Sequence, residues 1–281
     1  MLFPENIGPQ LSIDEVSLSQ GELYTFVTNK NGRSKKKTLV ASIKGTKAID
    51  IINVLEKLPL ETRGKVTEVT LDMAKNMQAA VKNSFPSASL VTDRFHVVKL
   101  AIDALQHVRI KLRWEAIDQE NEAIELAKRQ GVKYIPKQYS NGDTLKKLLT
   151  RSRFILAKDS SKWTENQQLR AEILFEEYPI IKEAYEHIIQ FRNSYECKDK
   201  SEAKNKIDQW IERTDKLGIK EFNTAARSIQ YHLENILNFF DNRSTNAFAE
   251  SFNSKIKLFR ANSRGVKDTT FFLFRIATLF G

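Results

Sequence analysis

The chain has 281 residues, with 45 lysines and arginines against 35 aspartates and glutamates, so its formal net charge is +10 and its pI is near 9.5. With 41% apolar residues and only 10 glycines and 6 prolines, the composition excludes an acidic, collagen-like or mainly disordered chain. No apolar run approaches the ~18 residues of a membrane span, and the first ten residues lack a signal-peptide pattern. We therefore expect a cytoplasmic protein without a membrane partner.

The single cysteine limits the kinds of site that the chain can form, and the distribution of charge indicates the kind of partner that it can bind. Cys197 has no second thiol to pair with, which excludes an internal disulfide and a cysteine-based zinc site. Residues 243–281 hold seven basic and two acidic residues, so half of the net charge lies in the last 39 residues. A second basic cluster is Arg33, Lys35, Lys36 and Lys37. Clustered basic residues attract phosphate backbones, and the alternative for each cluster is a solvated charged surface.

The first third of the sequence predicts a small mixed sheet. Residues 10–43 contain three apolar segments separated by turn residues, including an Asn-Gly turn, and predict a three-stranded meander. The spacing of apolar residues then predicts a helix over 49–58, a strand over 66–71, a helix over 77–85 and a strand that ends before Asp93. The resulting order of elements is βββαβαβ.

The remainder of the chain is predicted to be helical. Residues 96–240 contain few turn signals and no internal repeat, which indicates a large all-α block. A last amphipathic helix begins near Ser244 or Thr245, either of which can cap it through its hydroxyl group. An apolar helix over 271–280 closes the chain.

Three acidic residues stand out by their positions. Asp14 lies in the first strand, Asp72 follows the fourth strand, and Glu250 lies on the late amphipathic helix. Each aspartate has a structural alternative, because Asp14 can begin a β-turn and Asp72 can cap the helix after it. Helical geometry gives Glu250 a polar stripe that consists of Asn246, Glu250, Asn253 and Lys257. The opposite, core-facing stripe consists of Ala249, Phe252, Ile256 and Phe259.

Three carboxylates near one another suit phosphoryl transfer. Two hard divalent cations about 3.5–4 Å apart clamp the attacking and leaving oxygens of an in-line displacement, and carboxylate oxygens are suitable ligands for Mg²⁺. Amide and lysine side chains hold phosphate oxygens without reading sequence, which suits Asn246, Asn253 and Lys257. The pattern therefore favours metal-dependent chemistry on a nucleic acid backbone.

The order of elements resembles the RNase H-like fold, and several segments resemble the catalytic region of bacterial DDE transposases of the ISL3 group. These segments are IDE at 13–15, LDMA at 71–74, FPSASLVTDRFHVVK at 85–99, RSRFILAK at 151–158 and STNAFAESFNSKIK at 244–257. The resemblance covers almost the whole chain. It implies an α/β (α+β) fold, in which an RNase H-like mixed sheet has flanking helices and a large all-α insertion before the last catalytic helix. The expected domains are a catalytic core over 1–96, an all-helical insertion over 97–240 and C-terminal helices over 241–281 that complete the core.

The resemblance also implies roles for individual residues. Asp14, Asp72 and Glu250 match the family's catalytic and metal-binding carboxylates, which imply two Mg²⁺ ions with Mn²⁺ as a substitute. Asp93 and His96 match an aspartate-x-x-histidine element that supports the site. On the residues alone, Asp93 is an N-cap candidate, and the His96 imidazole can bond a phosphate, orient a carboxylate or simply pack.

The implied function is cleavage and transfer of DNA strands that move an insertion sequence in a bacterial, nucleoid-associated setting. The partners are then DNA, as element ends and target, and further copies of the chain in a homodimer or larger assembly. The expected DNA contacts are Asn246, Asn253, Lys257, Arg260 and Arg264. Two alternatives remain open: a DNA-binding protein without catalysis that derives from a transposase, and a nuclease of the same fold.

Two features depart from the family pattern. Family members usually begin with a zinc element and a helix-turn-helix, whereas this sequence starts just before the first catalytic strand. We therefore expect a separate N-terminal polypeptide to recognise the element ends. The segment ANSRGVKD at 261–268 replaces an aromatic-glycine pattern, which puts the detailed DNA contact there in doubt. Of the three tryptophans in the insertion, Trp210 is predicted to be core, and Trp114 and Trp163 remain candidates for stacking on DNA bases.

Overall fold

The computed structural model describes residues 1–18, 21–32, 36–263 and 268–281. The chain divides into two compact units, of which the first contains Met1–Val97 and His232–Gly281 and the second contains Val98–Tyr231. We call them the sheet unit and the helical unit. Arg264, Arg33 and Lys35, which the sequence analysis assigned to basic clusters, lie outside the described residues.

The sheet unit contains one five-stranded mixed sheet. Its strands are β1 (Gln10–Ser17), β2 (Leu23–Asn29), β3 (Leu39–Lys44), β4 (Glu68–Leu71) and β5 (Ser89–Thr92), in the spatial order β3-β2-β1-β4-β5. The first three strands form an antiparallel meander, and β4 and β5 continue the sheet parallel to β1. The predicted meander and the two later strands are thus confirmed, and the mixed sheet with flanking helices is that of the expected RNase H-like class.

Thirteen helices are present among the described residues. They are α1 (Ala48–Leu55), α2 (Leu60–Gly64), α3 (Lys75–Ser84), α4 (Arg94–Arg129), α5 (Leu145–Arg151), α6 (Glu165–Glu177), α7 (Pro179–Ser194), α8 (Lys200–Leu217), α9 (Lys220–Tyr231), α10 (Leu233–Leu237), α11 (Phe239–Asn242), α12 (Ala247–Asn262) and α13 (Thr269–Phe280). The helix predicted over 49–58 is α1, which ends at Leu55, and an additional short helix, α2, which was not predicted, follows Pro59. Proline lacks an N–H, so it fits the start of a helix better than its interior.

Helices cover both faces of the sheet. On one face, apolar side chains of α1 and α3 pack against the centre of β1 and β4, and they include Ile51, Leu55 and Val81. On the other face, Phe252 and Ile256 of α12, together with α13, pack against side chains of β1, β2 and β3. Burial of each large apolar side chain contributes about 1.5–3 kcal/mol, so α12 is fixed against the sheet by its apolar stripe.

The start of α12 differs from the prediction. The helix begins at Ala247, with Asn246 in the N-cap position, and neither Ser244 nor Thr245 caps it. The reason is a competing partner, since the Ser244 hydroxyl is buried and hydrogen-bonds to Glu68 of β4. The predicted core-facing stripe is confirmed at Ala249, Phe252 and Ile256, all of which are buried.

The helical unit has a core of its own. The indole of Trp210 stacks on His187 with ring centroids 4.6 Å apart and donates a hydrogen bond to the His187 carbonyl oxygen at 2.8 Å. Trp210 is therefore core, as predicted. In the same unit the buried carboxylate of Asp143 accepts bonds from Arg151 and, at 2.8 Å, from Arg170. The side chain of Cys197 is buried.

None of the helices in the described part of the chain combines the length and the apolar character that crossing a membrane requires.

Candidate active site

Three aspartates lie at one level across the parallel strands of the sheet. Ser12 of β1 pairs with Thr70 of β4, which pairs with Val91 of β5, and an aspartate follows two residues after each of them. These aspartates are Asp14, Asp72 and Asp93. Residues two apart on a strand point to the same face, so all three belong to the face that α12 covers. Asp14 therefore lies on β1, and Asp72 directly follows the adjacent strand β4, in agreement with the prediction that it follows the fourth strand.

Asp14 has the most strongly perturbed environment of the three. Its pKa is raised to about 6, chiefly by burial and to a smaller extent by the negative charge of Asp72, whereas the Glu15 N–H and the nearby His96 oppose the rise. The Glu15 N–H donates to Oδ1 at 2.8 Å. Because β1 continues through Ser17, Asp14 does not begin a β-turn. A partly buried carboxylate beside a second one is a site at which a bound cation is favourable.

Asp72 and Asp93 occupy the ends of β4 and β5. One oxygen of Asp72 accepts a hydrogen bond from the Ala74 N–H at 2.8 Å and so shapes the loop before α3, which begins at Lys75. Asp93 is buried, and burial raises the pKa of its carboxyl group, while the N–H of Asn246 and the charge of His96 oppose the rise. His96 thus lies within electrostatic reach of both Asp14 and Asp93.

Two asparagines fix α12 over these strand ends. The backbone N–H of Asn246 lies 3.3 Å from Oδ1 of Asp93, and the Asn253 side-chain amide donates to Oδ2 of Asp14 at 2.6 Å. Glu250 lies between them, four residues after Asn246 and three before Asn253, and its side chain is exposed. Residues three and four apart share one side of a helix. Glu250 therefore lies on the same helical stripe as the two residues that contact the aspartates.

In the described part of the chain, the carboxylates at the strand ends and on α12 do not form a complete metal-binding site. Among the described residues, no three His, Cys, Asp or Glu side chains form a group that could hold a metal ion. The donor chemistry nevertheless suits a hard cation, because the groups at the strand ends are carboxylate and amide oxygens. Among the same residues, Oδ2 of Asp93 and Oδ1 of Asn253 are buried without a hydrogen-bond partner. Buried polar atoms without partners are rare and indicate a site for a ligand or an ion.

The predicted DNA-contacting cations differ in their surroundings. Lys257 is exposed on α12, one turn beyond Asn253. Arg260 is instead used inside the fold, because its guanidinium is only 8% exposed, lies 3.2 Å from the Glu22 carboxylate and covers the ring of Phe272. The intramolecular ion pair leaves the Arg260 guanidinium little surface to offer to a phosphate.

A buried ion pair beneath the site was not anticipated from the sequence. The Lys30 ammonium donates to Oε1 of Glu68 at 2.9 Å, and both side chains are almost fully buried. Burial alone would raise the pKa of Glu68, but hydrogen bonds from Lys30, Ser244 and Asn242 hold it below its usual value. The pair thus joins β4 to the turn after β2, and the bonds from Asn242 and Ser244 join Glu68 to the segment that leads into α12. The signal in the sequence is one glutamate inside an otherwise uncharged strand, VTEVTL at 66–71.

Comparison with known proteins identifies the family. A family profile described as "Transposase", that of the DDE transposases of the ISL3 group, matches residues 11–276. The chain belongs to this family. The match includes the aspartates at the strand ends and all of α12, so the positions described above lie within the matched region. Transposases of the DDE type generally depend on divalent metal ions, which agrees with the oxygen donors at the strand ends.

Two curated transposases are among the relatives of the chain. The transposase for insertion sequence element IS1001 of Bordetella parapertussis is 22% identical over 273 residues, which are 96% of this chain and 60% of that protein. The transposase for insertion sequence element IS1557 of Mycobacterium tuberculosis is 26% identical over 259 residues, which are 89% of this chain and 55% of that protein. The chain therefore spans a little more than half the length of these two relatives.

Proposed function

We propose that this chain is the catalytic part of a transposase that cuts and joins DNA strands at a site formed by Asp14, Asp72 and Glu250. The observation that carries this proposal is that the α12 region contacts the strand ends on both sides of Glu250. Asn246, four residues before Glu250, contacts Asp93, and Asn253, three residues after it, contacts Asp14. The attachment supports the proposal, because Glu250 lies on the same helical stripe as the two asparagines that contact Asp93 and Asp14. A modest movement of the exposed Glu250 side chain toward Asp14 and Asp72 would then complete the site.

The donor set suits Mg²⁺, with Mn²⁺ as a substitute. Asp14, Asp72 and Glu250 would hold the ions, which when bound lower the pKa of an attacking hydroxyl and stabilise the charge on the leaving oxygen. The raised pKa of Asp14 supports this assignment, since two neighbouring carboxylates without a cation repel each other. Strand cleavage would use water as the nucleophile, and strand transfer would use the 3′-hydroxyl group of the cut DNA at the same site.

The surrounding side chains position the carboxylates and the DNA. Asn253 orients Asp14 through its amide, and Asn246 fixes Asp93 through its backbone N–H. His96 moderates the negative charge of Asp14 and Asp93. Lys257, exposed beyond Asn253, is suited to contact a phosphate. We assign Asp93 and His96 as positioning residues on this basis.

The assembly follows from the chemistry of the substrate. Joining element ends to a target needs both DNAs at one place, which favours a homodimer or a larger assembly on DNA. Recognition of the element ends would come from an N-terminal segment or from a separate polypeptide. In this arrangement the sheet unit forms the catalytic core, the helical unit forms the insertion, and the protein acts in the cytoplasm on nucleoid DNA.

A strand-transfer assay with pre-cleaved element-end DNA tests the proposal. The unaltered chain, Glu250→Gln and the control Glu176→Gln, an exposed glutamate on α6, are compared in Mg²⁺ and in EDTA. We expect joined product only with Mg²⁺, its loss in Glu250→Gln by a factor on the order of a thousand, and its retention in Glu176→Gln.

The other outcomes identify the alternatives. Metal-dependent cleavage without joined product would show a nuclease of the same fold. If the unaltered chain binds DNA in Mg²⁺ but neither cleaves nor joins it, the protein is a DNA-binding protein that lacks catalysis. Full activity of Glu250→Gln would remove this residue from the site, even if the reaction itself is observed.

A further inference from the structure

An arginine-lined pocket lies on the helical unit, within residues 98–231. It has a volume of about 420 Å³ and lies between one side of α4 and the segment after α5. Its lining residues are Asp103, Gln106, His107, Arg109, Ile110 and Arg153. On α4 the exposed residues His107, Ile110 and Trp114 continue the same side at helical spacing. The surface from residue 103 to 114 is therefore about 16 Å long at 1.5 Å per residue.

The arginines of this surface lack acidic partners. Among residues 98–231, all of which the structure describes, no carboxylate lies within 4 Å of Arg109, Arg113 or Arg153. Asp103, the acidic residue of the pocket, is paired with Lys99. Burial lowers the pKa of Arg109, and the positive charges of Arg153 and Arg113 lower it further. Such a cluster of like charges attracts an anion.

Two of the three arginines, Arg109 and Arg113, are held in place by neutral acceptors. Arg109 donates to Oε1 of Gln106 at 2.7 Å and to the carbonyl oxygen of Leu149 at 2.8 Å. Arg113 donates to the hydroxyl of Thr150 at 2.9 Å. Because these acceptors carry no charge, they fix the guanidinium groups without neutralising them. A ligand that carries negative charge then meets a surface that is already ordered, which reduces the entropy lost on binding.

Two exposed aromatic rings lie next to these arginines in sequence. Trp114 is 56% exposed and Phe154 is 68% exposed. The guanidinium of Arg113 lies 5.6 Å from the Trp114 ring, and that of Arg153 lies 5.5 Å from the Phe154 ring. The other two tryptophans of the unit hydrogen-bond to backbone carbonyls through their indole N–H groups. Trp114 and Phe154 thus offer ring faces to a ligand.

We propose that this surface, defined by Arg109, Arg113, Trp114, Arg153 and Phe154, binds single-stranded DNA. The arginines contact phosphates and the two rings stack on unpaired bases, which is the combination that single-strand binding requires. The phosphates of duplex DNA can contact the arginines, but its bases cannot stack on the two rings, because they already stack on one another. The inference rests on the proposed function, since unpaired nucleotides arise where a DNA strand is cut.

Binding of the full chain to fluorescent oligothymidylate, in EDTA so that no DNA is cut, tests the proposal. Arg113→Ala with Arg153→Ala should weaken binding and reduce the slope of log K against log salt by about 1.4, because each single-strand phosphate contact contributes about 0.7. Trp114→Ala with Phe154→Ala should lower affinity about tenfold or more and leave that slope unchanged. Arg109 is left intact because it also binds the Leu149 carbonyl.

Matched controls and a spectroscopic signal separate this surface from general effects. Arg129→Ala with Lys133→Ala removes two exposed cations of the same unit, and Leu126→Ala with Ile135→Ala removes two exposed apolar side chains. Both should bind oligothymidylate as the unaltered chain does. Quenching of tryptophan fluorescence by the oligonucleotide should disappear in Trp114→Phe.

The outcomes distinguish this inference from the proposed function. Unchanged oligothymidylate binding in the arginine and ring variants would overturn the inference. Equal losses for duplex and single strand in the ring variant would also overturn it, because stacking needs unpaired bases. Asp14→Asn should bind the oligonucleotide as the unaltered chain does. If the unaltered chain binds the oligonucleotide but does not transfer strands, only the proposed catalytic function is removed.

Discussion

Asp143 of the helical unit and Asp14 of the sheet unit have different partners. In the helical unit, Asp143 is fully buried, and two guanidinium groups, from Arg151 and Arg170, neutralise it. In the sheet unit, Asp14 has a second aspartate as its neighbour, and its pKa is raised to about 6. Among the residues that the structure describes, its only side-chain donor is the neutral amide of Asn253.

The difference separates a structural carboxylate from a functional one. A carboxylate that the fold supplies with cations stabilises that fold, and its removal leaves buried positive charges behind. A carboxylate that the fold leaves beside another carboxylate costs stability, and such strain is typical of sites that a ligand completes. Substitutions at the two places should therefore affect different properties.

The largest effect is expected for Asp14→Asn. We expect strand cleavage and transfer to fall by a factor on the order of a thousand, about 4 kcal/mol, because a metal ligand is lost. The free energy of unfolding should stay equal or rise, since the substitution removes the repulsion with Asp72. Assays of strand transfer and thermal unfolding in EDTA measure the two effects. A large loss of stability would make Asp14 a structural residue like Asp143.

For Asp143→Ala we expect the opposite result, a loss of stability with strand transfer retained. Removing the buried carboxylate should cost about 1.5–3 kcal/mol, because its charged hydrogen bonds with Arg170 and with the more exposed Arg151 are lost. Urea unfolding should show this loss, while strand transfer at low temperature should be retained by the folded fraction. Asp208→Ala, which removes an exposed pair with Lys204, serves as the control and should change stability by less than about 1 kcal/mol. A loss as small as that of the control would contradict the structural assignment.

A smaller effect is expected from pH in the helical unit. Burial, together with the positive charge of Arg213, lowers the pKa of His187 from an ordinary value of 6.5 to about 4. The unfolded chain then binds the proton more readily, so stability is full above pH 6.5 and falls as the pH drops toward 4. At pH 5 the loss is about 2 kcal/mol. His187→Gln should remove this part of the pH dependence, and His107→Gln, which alters an exposed histidine, should not. Identical pH profiles for all three proteins would contradict the prediction.

The smallest effect concerns two cations of α12. Lys257→Ala should reduce the salt slope of duplex DNA binding by about 0.9, as expected for one lost phosphate contact. Arg260→Ala should leave the slope unchanged, because its guanidinium pairs with Glu22 inside the sheet unit. Filter binding over a range of salt concentrations measures both. A reduced slope for Arg260→Ala would show that DNA draws this side chain away from Glu22.

Local patterns in the sequence were sufficient to predict most of the strands and helices and to select the acidic residues as candidates. Alternation of apolar residues predicted the strands, and spacing by three and four predicted the buried stripe of α12. The motifs at 85–99 and 244–257 resembled those of DDE transposases of the ISL3 group, and the family match confirmed the membership. The start of α12 could not be predicted in the same way. Ser244 is a good capping residue, but its hydroxyl is taken by Glu68, which is distant in sequence.

The sequence by itself determined the order of the strands and helices, the family and the identity of the acidic residues, because these depend on short-range periodicity and on motifs. Only the tertiary structure decided that Asp14, Asp72 and Asp93 share one level of the sheet, since strand register depends on pairing between distant segments. It also decided that Asn253 reaches Asp14, whereas Arg260 pairs with Glu22. These contacts join residues more than 230 positions apart, and only the packing of α12 on the sheet selects among the partners that each side chain can reach.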